Sequence, residues 1–137
     1  MKTFLLCYFS VISGLFLYLY QDPALEESIQ RGSEIYADFC VTCHLTEGEG
    51  VANAFPPLAK SDYLMNNREG SIRGIKYGQQ GKLVVNGATY NSVMAPLGLE
   101  DEEIADVMNY ILHSWGNTSD KIVTVEEVKA ISKVAAH

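Results

Sequence analysis

Cys40-Val41-Thr42-Cys43-His44 constrains this chain more than any other stretch of it. Two thiols three positions apart, followed at once by an imidazole, form the spacing by which a polypeptide attaches a c-type haem. Each element has a chemical task. The thiols of Cys40 and Cys43 can add across the two vinyl groups of a haem and leave stable thioethers, and the intervening pair matches the sulfurs to the vinyls. The adjacent His44 then lies under the iron and can donate an imidazole nitrogen as proximal ligand. A chain built on this motif has to fold around one large apolar group held covalently, which adds apolar surface to its core.

Two other uses of paired cysteines fit less well. A thioredoxin-like Cys-x-x-Cys is preceded by a buried strand and opens a helix in a βαβ setting. Here the motif ends a helix-like stretch and runs into Gly48 and Gly50. A structural zinc site asks for a second pair of ligands at similar spacing. The remaining cysteine is Cys7, inside an apolar segment, and His113 and His137 form no paired motif.

At 137 residues the chain fits one domain with appendages. Its 47% apolar content lies partly in residues 3–20, an uncharged stretch preceded by Lys2. As a helix that stretch would span about 27 Å, close to the hydrocarbon thickness of a bilayer. A secretory signal has a shorter apolar centre and a small-residue cleavage site. Cleavage after Gly14 would leave Leu-Phe-Leu-Tyr-Leu-Tyr at the new terminus, so an uncleaved anchor is the preferred expectation. Tyr18 and Tyr20 suit an interfacial belt. Both alternatives export the domain, and covalent haem attachment in bacteria fits the outer side of the membrane. The expected location is the periplasmic face of a bacterial cytoplasmic membrane, or the periplasm if residues 1–20 are removed.

A net charge of −7 argues against nucleic acid as a partner. Within 57–93, Lys60, Arg68, Arg73, Lys76 and Lys82 face only Asp62 and Glu69, so this segment is less negative than its flanks. It could orient docking to a redox partner, or simply solubilise loops.

Residues 21–27 read as a short linker, 28–118 as the folded domain and 119–137 as a C-terminal helical extension. The first helix is expected from about Pro23 to Cys40, with Leu25, Ile29, Tyr36 and Phe39 at helical spacing and Gly32 marking a close helix crossing. A second runs over Glu100–Ser114, with an apolar stripe of Ile104, Val107, Met108, Ile111 and Leu112 and acids in its first turn. Gly116 and Asn117 stop it. A last helix starts at Thr124 with a Thr-x-x-Glu capping box to Glu127 and continues to about Val134. Between them, Phe55-Pro56-Pro57-Leu58 is extended, Asn66–Tyr77 is a possible helix, and Asn86-Gly87 turns a hairpin between Lys82–Val85 and Ala88–Tyr90.

This order of elements from Ile29 to Trp115 resembles the single-haem class I cytochromes c. Gly32, Tyr36 and Cys40 fall at spacings of four, as in that family's first helix. The segments Phe55–Tyr63, Val85–Met94 and His113–Asn117 look like the cytochrome domains associated with copper nitrite reductases. The resemblance implies a mostly α class I cytochrome c fold with a small β-hairpin after the apolar segment. It implies one haem c attached through Cys40 and Cys43 and ligated by His44, and a first helix on which Tyr110 packs. Met94 stands where the family places its axial methionine, although Ala95 separates it from Pro96 and the family commonly has Met-Pro. Met108 belongs to an apolar stripe, and Met65 reads as a packing residue. Pro57 matches the proline whose carbonyl accepts the free N–H of the proximal histidine. Tyr90 and Asn91 are candidates to bond a haem propionate or the Met94 loop, and Arg73 is a candidate propionate partner. Trp115 reads as a packed aromatic at a helix end.

The implied activity is electron transfer rather than catalysis: a carrier shuttling between a quinol-oxidising complex and a terminal oxidase or copper nitrite reductase, held at the membrane by residues 3–20. Three other readings stay open, namely an enzyme with an open iron position, a sensor in which Met94 dissociates, and a fixed haem subunit of a larger respiratory complex.

Overall fold

The computed structural model describes residues 22–133. The expected anchor or signal, 1–20, lies outside them, as do Cys7 and the last four residues. Among the described residues no helix is long and apolar enough to cross a membrane.

Helix α1, Pro23–Phe39, begins where Asp22 accepts the Ala24 N–H at 3.0 Å and Pro23 fixes the first turn. Residues 23–27 are therefore helical, not linker, because an aspartate cap and an N-terminal proline outweigh their polar composition. The buried face of α1 is Ser28, Gly32 and Tyr36, one residue per turn. The helix closes at Cys40, whose N–H donates to the Tyr36 carbonyl at 2.9 Å. A single turn, α2 (Val41–His44), follows directly, and Leu45 at φ 62° ends it.

The helix expected over Asn66–Tyr77 forms from Arg68 onward, and a short helix that was not expected precedes it. In α3, Asp62–Asn66, the Ser61 side chain caps the start by accepting from Leu64 N–H at 3.2 Å. Helix α4, Arg68–Tyr77, starts anew because Asn67 leaves helical geometry and its side chain accepts from Gly70 N–H at 3.1 Å. Asparagine competes for backbone bonds in this way, so it caps a helix better than it continues one.

The hairpin forms where expected. Strands β1 (Leu83–Val85) and β2 (Ala88–Tyr90) pair antiparallel, Leu83 with Tyr90 and Val85 with Ala88. Asn86 and Gly87 both hold positive φ, the geometry a two-residue turn demands. Helix α5, Asp101–Leu112, starts with a reciprocal capping box between Glu100 and Glu103.

Helices α1 and α5 cross so closely that a Cβ on Gly32 would lie 2.1 Å from the Asp106 carbonyl oxygen and 2.8 Å from the Tyr110 Cβ. The crossing is also tied by buried polar groups. Ser28 Oγ donates to Asp106 at 2.6 Å, Arg31 donates twice to the same carboxylate, and Asn109 Nδ2 donates to Ser28 Oγ at 2.8 Å. The core around this joint contains Tyr36, Leu64, Ile72, Ile104, Met108 and Ile111, and Val123 and Val128 from the C-terminal extension belong to it.

The extension carries α6, Val125–Ala130, which is shorter than the expected run to Val134. Thr124 accepts from Glu127 N–H at 3.2 Å, as the expected capping box requires. The Glu127 carboxylate also forms a two-point pair with Arg68 at 2.7 Å, a charge-assisted bond stronger than a capping contact.

Candidate haem site

One cavity of about 1060 Å³, its open mouth included, lies between α2, α4, the hairpin and α5. Cys40, Cys43 and His44 form part of its wall, and Met94 and Tyr90 line it as well. None of its lining residues is charged. On α4 the face toward it is Gly70, Ser71, Gly74 and Ile75. A Cβ at Gly74 would meet only the Gln79 Cβ, at 3.8 Å, so the face is bare there and leaves room for a flat group, whereas at Gly70 the Asn67 side chain lies 2.4 Å away.

The motif is built from the end of α1 outward. Tyr36 donates its hydroxyl to the Leu45 carbonyl at 2.7 Å, which pins the residue after α2. Burial raises the Tyr36 hydroxyl pKa, with Cys40 adding to the shift, so it remains a neutral donor. Tyr36, Tyr110 and Trp115 pack as a tilted trio with ring centroids 5.0–5.4 Å apart. Tyr110 and Trp115 thus stand as the sequence led one to expect. Asn117 does more than stop a helix. Buried, it donates to the Leu58 and Ile111 carbonyls at 2.9 and 2.7 Å and accepts from Lys60 N–H at 2.8 Å, fixing the proline loop to α5.

Cys40 and Cys43 are not disulfide-bonded. Burial, helped by the nearby Cys43, pushes the Cys40 thiol up to about 11, so it is held neutral. The His44 pKa is lowered by burial, against a smaller opposing effect of its backbone bond. That bond runs from Nδ1 to the Pro56 carbonyl at 3.0 Å. With Nδ1 donating, Nε2 keeps the lone pair that a metal ligand needs. The expected acceptor was the carbonyl of Pro57. The register differs by one because Val51 and Phe55 form an isolated bridge that turns the Pro56 carbonyl inward, while Pro57 contributes to the cavity wall. Gly50 makes this possible: a Cβ there would lie 2.7 Å from the Pro56 oxygen.

Of the three methionines after the motif, Met94 alone lines the cavity. Met108 is fully buried in the core and Met65 is at the surface. The Met94 backbone is held by two bonds to Gln79, at 2.9 and 2.8 Å. Tyr90 is buried against the cavity, whereas Asn91 is exposed and does not line it. Arg73 is not brought to the site. Its Nε donates to the Ser132 carbonyl at 3.0 Å and its other arm pairs with Glu69, so the extension claims it.

The middle-segment charges are spoken for in the same way. Arg68 pairs with Glu127, Arg73 with Glu69 and Lys76 with Asp101. Lys60 and Lys82 remain as exposed cations, too few for the basic face that the segment's composition allowed. Sequence reasoning also passed over Leu58, Tyr63, Leu83 and Val107 as cavity lining. The Gly70/Gly74 pair, one turn apart on α4, was the signal available for that wall.

A mostly helical fold closed by the α1–α5 crossing, around an uncharged cavity into which a Cys-x-x-Cys-His turn opens, defines a cytochrome. The chain belongs to the cytochrome c family, whose sequence pattern matches residues 29–115. Over 109 residues it is 41% identical to cytochrome c-552 of Thermus thermophilus, covering 73% of this chain and 82% of that protein. It is 29% identical to the cytochrome c subunit of alcohol dehydrogenase (quinone) from Gluconobacter oxydans, over 77% of this chain and 22% of that subunit. A third relative is the gluconate 2-dehydrogenase cytochrome c subunit of Pantoea cypripedii, at 33% identity over 79% of this chain and 26% of that subunit. Family membership makes covalently bound haem c the cofactor and electron transfer the activity. The residues fit that group: an uncharged cavity, two thiols free of a disulfide at its wall and an imidazole whose Nδ1 is already committed to Pro56.

Proposed function

We propose that this chain is a one-electron carrier in which Cys40 and Cys43 hold haem c by thioethers and His44 and Met94 are its axial ligands. The observation that carries this is the convergence of all four side chains on one uncharged cavity, with His44 Nδ1 already bonded to Pro56. When bound, haem c supplies an iron that cycles between Fe(III) and Fe(II). The protein's part is to fix the ligands and exclude water. The Pro56 carbonyl orients the His44 ring and raises its basicity. The Met94 thioether is a soft donor that favours the ferrous state, and an uncharged wall disfavours the extra positive charge of the ferric one. With His44 and Met94 both holding the iron, no position would be left for a substrate.

The partners that fit this role are a quinol-oxidising complex as donor and a terminal oxidase or copper nitrite reductase as acceptor. The relatives among dehydrogenase cytochrome c subunits support exchange with redox enzymes generally. Residues 3–20 would hold the carrier at the periplasmic face of a bacterial cytoplasmic membrane, or be removed to release it.

The test is an absorption and redox study of the haem-loaded chain beside Met94→Ala. The parent should give low-spin bands with a weak iron–methionine charge-transfer band and should ignore carbon monoxide. Met94→Ala should keep its haem, lose that band, bind carbon monoxide and show a lower potential. An unchanged spectrum and potential in Met94→Ala would refute the ligand assignment.

A further inference from the structure

The segment bearing Met94 has little holding it. Three hydrogen bonds reach 91–99 among the described residues: the reciprocal pair between Met94 and Gln79 and one from Ser92 to the Ala54 carbonyl. Asn91, Val93, Ala95, Pro96 and Gly98 are exposed. The position of Met94 therefore depends on what fixes Gln79, two residues beyond the end of α4. Gly78, between them, is packed so tightly that a Cβ would lie 2.8 Å from the Met94 carbonyl oxygen.

Helix α4 is in turn fixed by the C-terminal extension. Arg68 donates to the Lys121 and Ile122 carbonyls at 2.9 and 2.7 Å as well as to Glu127. At the other end Arg73 donates to Ser132, Lys76 to Val128 at 2.8 Å, and the Tyr77 hydroxyl to Ile131 at 3.0 Å. Side chains along the whole length of α4 thus donate to backbone carbonyls of residues 121–132. Three of the four anchoring residues, Arg73, Lys76 and Tyr77, lie in the C-terminal half of α4, the end joined to Met94.

We infer that the extension is a brace for the distal ligand, and that Tyr77 and Lys76 are positioning residues for Met94, acting through Gln79. The inference rests on Met94 being the distal ligand, but its mechanical part, the coupling of residues 128–132 to the Gln79–Met94 pair, does not. Simple cover for the α4 surface would not need to reach Met94; a brace must.

The test uses the full haem-loaded chain with Tyr77→Phe, which removes one oxygen and no packing, and Tyr77→Phe/Lys76→Met, beside Asp101→Asn as the control for the Lys76–Asp101 pair that Lys76→Met also breaks. Two quantities are read: amide exchange at Gln79 and Met94, the two N–H groups of the bridge, and the rate of carbon monoxide binding to the reduced protein. Exchange at both amides should rise about tenfold in the double variant and stay unchanged in Asp101→Asn, with Val107 and Met108 unchanged, as expected for losing the two bonds to the extension from a locally opening unit. Carbon monoxide binding should rise by a similar factor while the haem stays attached. Faster exchange at Val128 and Ile131 alone, with Gln79, Met94 and carbon monoxide binding unmoved, would overturn the brace. Faster exchange at Gln79 and Met94 with carbon monoxide binding unmoved would keep the mechanical coupling and overturn Met94 as the ligand it serves, which the Met94→Ala spectrum tests separately.

Discussion

A hydrogen atom in place of a methyl at position 50 sets the proximal side of this site. Gly50 sits at φ 64° and donates its N–H to the His44 carbonyl at 3.0 Å, while the Phe55 and Pro56 oxygens fill the space a Cβ would take. Gly50→Ala should therefore lose about 2 kcal/mol of stability, from the left-handed backbone and the displaced carbonyls together. It should also move the Pro56 oxygen off His44 Nδ1, which proton NMR of the imidazole in the haem-loaded protein would report. Pro56→Ala keeps the carbonyl, so it should leave that resonance nearly in place, and a larger shift in Pro56→Ala than in Gly50→Ala would contradict this account. Gly32 makes the opposite case. There the obstacle is the Asp106 carbonyl across the helix crossing, not the haem site. Gly32→Ala should cost about 3 kcal/mol in guanidinium unfolding with the ligand spectrum intact. A loss within experimental error would mean the two helices separate without cost.

At the scale of elements, what the sequence revealed was what local chemistry decides. Helices α1 and α5 were legible from period and caps, and the hairpin from Asn86-Gly87, since each signal acts within a few residues. The break at Asn67 was also local, but an asparagine reads as tolerable in a helix until its side chain is seen on Gly70 N–H. Arg73 and Glu127 could not be placed from sequence, because their partners lie across the fold. Arg73 reaches Ser132, and Glu127 pairs with Arg68. In the site, Cys40, Cys43 and His44 were given by one contiguous motif, whereas the Pro56 register depends on a bridge between Val51 and Phe55 that no spacing encodes.

The Arg68–Glu127 pair makes the attachment of α6 sensitive to acid. The Arg68 hydrogen bonds hold the Glu127 carboxyl below its ordinary value of 4.5, with burial opposing. A folded-state pKa below the unfolded one means stability fully present above the ordinary value and lost as pH falls through the folded value. The pair is about one-third exposed, so the contribution is about 1 kcal/mol at most. Unfolding stability measured from neutral to acid pH should fall less steeply in Glu127→Gln than in the parent, after the variant's lower starting stability is allowed for. Parallel curves would show that this pair does not carry the acid sensitivity.

Over the whole molecule the chain divides by what it packs on. The α1–α5 crossing has its own core and a satisfied polar joint: Ser28, Asp106 and Asn109 are buried, and Asn109 also binds both backbone groups of Val123, at 2.7 and 3.0 Å. Helix α4, the hairpin and the Met94 segment instead face the cavity, which Ile75, Leu83, Val85 and Tyr90 line. A cavity of this size lined by apolar side chains is unfavourable to hold open, so a chain that cannot attach its cofactor should not keep that half ordered. In Cys40→Ala/Cys43→Ala, amides of α1 and α5 such as Tyr36, Val107 and Met108 should retain measurable exchange protection. Those of Val85, Tyr90 and Met94 should lose nearly all of theirs, and near-ultraviolet circular dichroism should weaken without vanishing, since the Tyr36–Tyr110–Trp115 trio belongs to the retained half. Equal loss everywhere would mean that the haem stabilises one indivisible unit. Full protection everywhere would mean that the protein alone shapes the cavity, and only the intermediate pattern fits a scaffold of two helices onto which the cofactor recruits the rest.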